Sequence, residues 1–267
     1  LQDSEEEALA YMQEIIEDTG PASTYERKEA YVKNGHKMVK FLEELGMKWV
    51  AGILYPDYYP EKTSGKIGRS IEAEIFDARI LKEYEGTLRR GEIDPPIPLY
   101  SGKVASLPKA FTNAKDFNTV VGMFMNGMKH KIKGSHAISI GGGLVARLLK
   151  IAMDRNVPLL LSTPLKDLII EEDKIVGVEA EKDGQPYFIK CKAVILAGGG
   201  FERNPELRKK YHNVGVSWTS ESPDNKGDIL LIAQKHNMDT ALLDDAWWGP
   251  TAIDASGARK FMVYERS

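Results

Sequence analysis

The sequence predicts a mixed α/β fold. Capped amphipathic helical patterns alternate with turn-rich loops up to about residue 140, and a helix then gives way to short β-branched runs joined by hairpin-turn residues. A last apolar run, residues 193–197, enters a glycine cluster.

The chain has 267 residues, 42% of them hydrophobic, which suffices for one large or two small domains and excludes wholesale disorder. Thirty-six Lys and Arg against 39 Asp and Glu leave a formal charge of −3, so the overall composition supplies no field that would recruit nucleic acid or an anionic membrane. Cys191 is the single cysteine, and five scattered histidines give no zinc framework, so no disulfide and no metal site are expected. No apolar run approaches the roughly 18 residues of a membrane span, and the N-terminus is acidic. These features lead to the expectation of a cytoplasmic protein.

The first helix opens at Ser4-Glu5-Glu6-Glu7, which has capping-box spacing, continues through Ala8, Met12, Ile15 and Ile16, and is stopped by Gly20-Pro21. Ser23 to Glu26 repeats the signal for a second helix ending at Gly46, with a kink expected at Asn34-Gly35. A strand is expected over residues 49–55, followed by a loop through Gly68-Arg69. Pro95, Pro96 and Pro98 argue against regular structure over residues 94–106, and Lys129-His130-Lys131-Ile132-Lys133 reads as a solvated helix face. Gly141-Gly142-Gly143 opens a helix that reaches about Asn156.

Strands follow over residues 159–161, 168–170, 174–181, 187–191 and 193–197, with turns at Glu171-Glu172-Asp173 and Asp183-Gly184. The run Val194-Ile195-Leu196-Ala197 lacks polar alternation, so it is expected to be covered on both faces. Further helices begin at Asn204-Pro205-Glu206 and near Gly227.

Two glycine clusters could carry chemistry. Gly141-Gly142-Gly143-Leu144-Val145-Ala146 matches a dinucleotide fingerprint in form, but the next expected strand ends in Ser162-Thr163-Pro164 with no carboxylate for a ribose, which argues for a decoy. Ala197-Gly198-Gly199-Gly200-Phe201-Glu202-Arg203-Asn204 lies at the C-terminal end of a strand, where open α/β sheets bind ligands and bare backbone can approach a flat cofactor.

The stretch from Gly141 through Asn204 resembles the flavoprotein family of fumarate reductase, the succinate dehydrogenase flavoprotein and 3-ketosteroid Δ1-dehydrogenase. Tyr55-Pro56-Asp57-Tyr58-Tyr59, Gly68-Arg69-Ser70-Ile71, Ala241 through Trp247, and Phe261-Met262-Val263 are similar to the ketosteroid dehydrogenase branch. The resemblance implies FAD as cofactor and an internal piece of a longer flavoprotein. Residues 1–245 would be a partial FAD-binding domain and residues 246–267 the start of a substrate or catalytic domain. It further implies that a G-x-G-x-x-G segment and most of the substrate domain lie outside this chain, so that the chain alone is expected to be inactive and to bind FAD weakly.

By the same resemblance the backbone near Leu165 meets the adenine, Ala197, Gly198, Gly199 and Gly200 line the dinucleotide, and Asp228 contacts the cofactor; read locally, Asp228 is equally a helix N-cap. Tyr58 matches a catalytic-centre tyrosine, and Tyr55 and Phe261 match aromatic positions lining a steroid pocket. The implied reaction removes hydrogen beside a ketone. A phenol of reference pKa about 10 must be lowered by about three units, roughly 4 kcal/mol, to act as base at neutral pH; the resemblance puts that base outside this chain and makes Tyr58 the hydrogen-bonding partner that helps to lower it. The expected partner is therefore a hydrophobic ketone or steroid, and unpaired sheet edges are expected to permit homo-oligomers. The alternatives are a fumarate-reductase-like enzyme acting on a small unsaturated acid, an NAD-binding domain, and a non-catalytic binding module.

Overall fold

The computed structural model describes residues 2–89, 97–217, 219, 221–249, 251–253, 255, 257 and 259–261. They divide into two compact units, Leu1–Pro158 and Leu159–Glu265.

In the first unit, helix α1 (Glu5–Ile16) starts as expected at Ser4, whose hydroxyl accepts from the Glu7 N–H at 3.2 Å. The return arm of the capping box is not made. The Glu7 carboxylate turns to the Lys66 ammonium at 2.7 Å, a stronger partner than a neutral amide, and the Ser4 N–H donates to Asp3. Helix α2 (Tyr25–Glu44) is capped by Thr24 and not Ser23, because the 3-10 turn Gly20–Ser23 set by Pro21 leaves Thr24 as the first extended residue. It runs unbroken through Asn34-Gly35, where the Asn34 amide donates to the Ala30 carbonyl at 2.7 Å. Buried Lys28 ties the two helices together by donating to Gln13 and to the Glu17 carbonyl at the end of α1.

Strand β1 (Trp49–Ala51) is shorter than the expected 49–55 because the Tyr55 N–H turns back to the Gly52 carbonyl. It pairs antiparallel with β2 (Ile71–Ala73), and β3 (Phe76–Asp77) pairs antiparallel with β4 (Ala137–Ile138). Between β3 and β4 lie a 3-10 segment (Ala78–Thr87), a one-turn helix α3 (Ser101–Val104) and the long helix α4 (Ala114–Ile132). Helix α3 forms within a segment expected to be irregular. The Glu72 carboxylate accepts from the N–H groups of Ser101 and Gly102 and so caps the turn from a distant strand; Pro95 and Pro96 lie outside the described residues.

Helix α5 (Ile140–Asp154) is the organising element of this unit. Ala146 belongs to a cluster with Phe76, Ala78, Leu81 and Ile138, while Ile151 belongs to a second with Met47 and Ala73. A Cβ on Gly143 would come 3.4 Å from the Ile138 carbonyl, so this glycine permits close seating of the helix start. Arg147, buried, donates to the carbonyls of Glu74 (2.9 Å) and Ile75 (3.1 Å) and to the Glu74 carboxylate (2.9 Å), with its guanidinium 5.3 Å from the Phe76 ring.

The second unit contains the meander β5 (Leu165–Glu171), β6 (Lys174–Lys182) and β7 (Gln185–Lys190), antiparallel in that order. Both expected hairpin turns are present with the positive φ they require, at Glu172 and Asp173 and at Asp183 and Gly184. Residues 159–161 and 193–197 are not strands. A strand exists only by pairing, and among the described residues no backbone ladder joins either run to another segment. Neither is covered on both faces: Ile195 is 93% exposed. Helix α6 (Pro205–Leu207), capped by Asn204, continues into a π-helical turn (Arg208–His212), and α7 (Asp228–Lys235) and the hairpin β8 (Thr251–Ile253) and β9 (Arg259–Phe261) complete the unit.

Replacing Arg147 by Met keeps the aliphatic stem but strips two buried carbonyls and Glu74 of their donor. The expected result is a loss of about 2–4 kcal/mol, read as a lower urea midpoint in equilibrium unfolding.

Candidate functional site

In the second unit, the glycine segment rests on the loop before α7. The Gly227 N–H donates to the Gly200 carbonyl at 3.0 Å, the Arg203 N–H to the Asn225 carbonyl at 2.9 Å, and the Asn204 amide to the Lys226 carbonyl at 2.9 Å. The glycines are needed here. A Cβ on Gly198 would lie 2.4 Å from Ile229 Cγ1, and one on Gly199, whose φ is +84°, would lie 2.7 Å from Asn225 Oδ1. Ala197, Gly198 and Gly199 are exposed, and among the described residues their backbone N–H groups find no acceptor. Beside them Glu202 Oε2 is buried without a donor. A bare backbone with open N–H donors and an unsatisfied carboxylate oxygen suits a nucleotide cofactor, whose acceptors and ribose hydroxyls would complete both.

Below this segment lies an aromatic cluster that the sequence reading missed. Phe201 stands 5.7 Å from the Tyr211 ring and 5.1 Å from His212, and His212 stands 5.7 Å from Trp248. Buried Arg208 donates to His212 Nδ1 at 2.8 Å, which makes that nitrogen the acceptor and lets Nε2–H donate to the Asp245 carbonyl at 3.1 Å. The π-helical turn produces this grouping, and no periodicity in the sequence announces it.

Asp228 is the first residue of α7 and not its cap. Gly227 holds the cap position in the left-handed region, leaving the Asp228 carboxylate exposed and without a described partner. Leu165 opens β5, half-buried opposite Ala180, and α7 packs on that strand. Two residues on, Asp167 bonds to Lys235 and to His236 Nε2 (2.6 Å) at the end of α7. These bonds, the Lys235 one foremost, lower its pKa to about 2.

Tyr55 and Tyr58 belong to the first unit, half-buried in a loop that closes on itself. Pro56 bridges to Ile67, and the Gly68 N–H donates to the Tyr55 carbonyl at 2.8 Å. The loop is clamped to the start of the chain by charge. Arg69 donates to Asp57 (2.7 Å) and to Asp3 (2.8 Å) and lies 5.3 Å from the Tyr11 ring, and the Tyr11 hydroxyl accepts from the Tyr59 N–H at 3.0 Å. Phe261 ends β9 with its backbone opposite Thr251; Met262 and Val263 lie outside the described residues. The nucleotide fingerprint at Gly141 lacks its context, since β4 pairs antiparallel, residues 159–161 form no strand, and the first strand after α5, β5, belongs to an antiparallel meander. No group of His, Cys, Asp and Glu among the described residues could hold a metal ion, and no helix among them is long and apolar enough to cross a membrane.

The folded Asp167 carboxylate titrates near 2 and an unfolded aspartate near 4, so its contribution to stability is complete above the unfolded value and is lost as the pH falls through the folded one. Asp167→Asn is expected to melt below the wild type at neutral pH, with a gap that closes between about pH 4 and pH 2; thermal melts across that range check it, and a gap independent of pH would refute the assignment.

Known proteins resemble this chain over its length. The FAD binding domain family matches residues 2–266. The 3-oxosteroid 1-dehydrogenase of Mycolicibacterium smegmatis is 32% identical over all of the chain and 48% of its own length, and that of Mycobacterium tuberculosis H37Rv is 32% identical over all of the chain and 49% of its own. The crystal structure of 3-ketosteroid delta1-dehydrogenase from Sterolibacterium denitrificans, in complex with 1,4-androstadiene-3,17-dione, superposes with a TM-score of 0.80 at 25% identity, covering 98% of this chain and 49% of that one. The chain thus spans about half the length of the relatives it matches.

Proposed function

The chain belongs to the family of FAD binding domains, and on that premise we propose that it serves an FAD-dependent oxidoreductase that dehydrogenates a C–C bond beside a ketone, with a 3-ketosteroid as substrate class. The observation that carries the cofactor half is the Ala197–Gly200 backbone, with open N–H donors at residues 197–199 and no room for a Cβ at Gly198 or Gly199. The whole-chain likeness to 3-oxosteroid dehydrogenases supports the substrate half and makes a fumarate-reductase-like activity the weaker reading.

In this proposal Ala197, Gly198, Gly199 and Gly200 hold the dinucleotide, Leu165 backs its adenine, and the exposed Asp228 carboxylate accepts from a cofactor hydroxyl. FAD, when bound, supplies the hydride acceptor. Tyr58 offers its phenol at the reacting centre, where a hydrogen bond from it stabilises the charged form of a neighbouring base. Tyr55 and Phe261 provide apolar surface for the flat substrate. The salt bridges from Arg69 to Asp57 and Asp3 hold the loop bearing Tyr55 and Tyr58, so that positioning a phenol costs little additional ordering. Residues 1–245 would serve the flavin-binding domain, and residues 246–267 would open the substrate domain with the β8–β9 hairpin.

Titration with FAD, followed by flavin fluorescence and thermal unfolding, tests the cofactor half. Gly199→Ala is expected to weaken binding at least tenfold, because a φ of +84° and Asn225 both oppose a side chain; wild-type affinity in this variant would sink the assignment. Tyr58→Phe is expected to leave FAD binding unchanged and to lower ketosteroid dehydrogenation by the intact protein about a hundredfold. Unchanged turnover in that variant would remove Tyr58 from the reaction.

A further inference from the structure

Helix α4 presents one unbroken apolar arc to solvent. Phe117, Val121, Phe124, Met125, Met128 and Ile132 recur at spacings of three and four along it and are between 42% and 79% exposed, and Phe111, just before the helix, is 95% exposed. The opposite face is seated. Met123 and Gly127 are buried, and a Cβ on Gly127 would come within 2.9 Å of Ile97 Cγ2, so the backbone lies close against its support and fixes which way the arc faces.

The charge around this arc departs from that of the chain as a whole. Between residues 101 and 134 stand Lys103, Lys109, Lys115, Lys129, Lys131 and Lys133 against a single acid, in a protein of formal charge −3. That acid, Asp116, is half-buried and turned toward Asn113 at the helix start. At 100° per residue Lys131 borders the arc on one side and Lys129 on the other, with Lys115 farther round on the Lys129 side, all three exposed. The whole-chain composition, which offered no attraction for an anionic surface, averages this patch away.

We propose that α4 is an interfacial helix that lies on an anionic lipid surface, with its phenylalanines and methionines in the acyl boundary and its bordering lysines among the headgroups. An apolar arc of about 100°, edged by lysines and free of acids, is the pattern that places a helix in the plane of a bilayer. The lysine stems extend along apolar surface while the ammonium groups reach the anionic layer. Nineteen residues give a contact about 28 Å long. No polar side chain within the arc offers a hydrogen bond to a protein groove, which distinguishes it from a surface built for a folded partner.

The test is flotation of the intact protein with vesicles of phosphatidylcholine alone or mixed with phosphatidylglycerol. Flotation is expected with the anionic vesicles and is expected to weaken with added salt. Lys115→Gln, Lys129→Gln and Lys131→Gln combined should lower the partition coefficient roughly a hundredfold, at about fivefold per lysine near an anionic surface. Phe124→Ser with Met128→Ser should abolish flotation while leaving the circular dichroism spectrum unchanged, as expected of side chains already in water. The proposal is overturned if the intact protein stays in the aqueous fraction, as it would were the arc covered by other polypeptide. It is also overturned by equal binding to neutral and anionic vesicles, or by a dimer that the Phe124→Ser and Met128→Ser exchange dissociates.

Discussion

Arg147 enters the first unit from the middle of α5 and ends on the carbonyls of Glu74 and Ile75, at the joint between β2 and β3. These strands are only three and two residues long, too short to hold a register by their own ladders. A buried guanidinium supplies what they lack, because its donors lie in a rigid fork and an unmet donor in the interior is costly. With α5 pinned there, its flanks close two separate apolar clusters, and the segments from Met47 to Ile138 acquire a common support.

The second unit achieves rigidity differently. Its meander is local, with two tight turns of left-handed residues setting the pairing, so β6 is flanked on both sides. The glycine segment has no such ladder. It is held from below by single hydrogen bonds to residues 225–227 and by the Phe201, His212 and Trp248 rings, while its upper surface stays bare. A backbone supported on one side and unsatisfied on the other is stable only where water or a ligand meets its N–H groups. The same arrangement that makes the segment irregular therefore leaves its N–H groups open to water or to a ligand.

Electrostatics acts locally in both units. Arg69 joins Asp3 and Asp57, residues far apart in the chain, and so fastens an irregular loop to α1; Lys235 and His236 join Asp167 and fasten α7 to β5. Near neutrality of the whole chain conceals these arrangements and the lysine-bordered arc of α4 alike.

The sequence by itself determined the elements whose signals are local. Ser4 and Asn204 cap helices because a short polar side chain can reach N–H groups two or three residues on, and the turns at Glu172-Asp173 and Asp183-Gly184 form because Asp and Gly accept positive φ at low cost. It also carried the glycine motif and the aromatic loop on which a family likeness rests. Tertiary structure decided what depends on partners remote in the chain. It left 159–161 and 193–197 without ladders, since apolar character alone does not supply a neighbouring strand. It turned Glu7 to Lys66, moved Asp228 off the cap, and gathered Phe201, His212 and Trp248 through a π-helical turn. The physical reason is common to all of these: a side chain takes the strongest partner within reach, and only the folded chain fixes which partners those are.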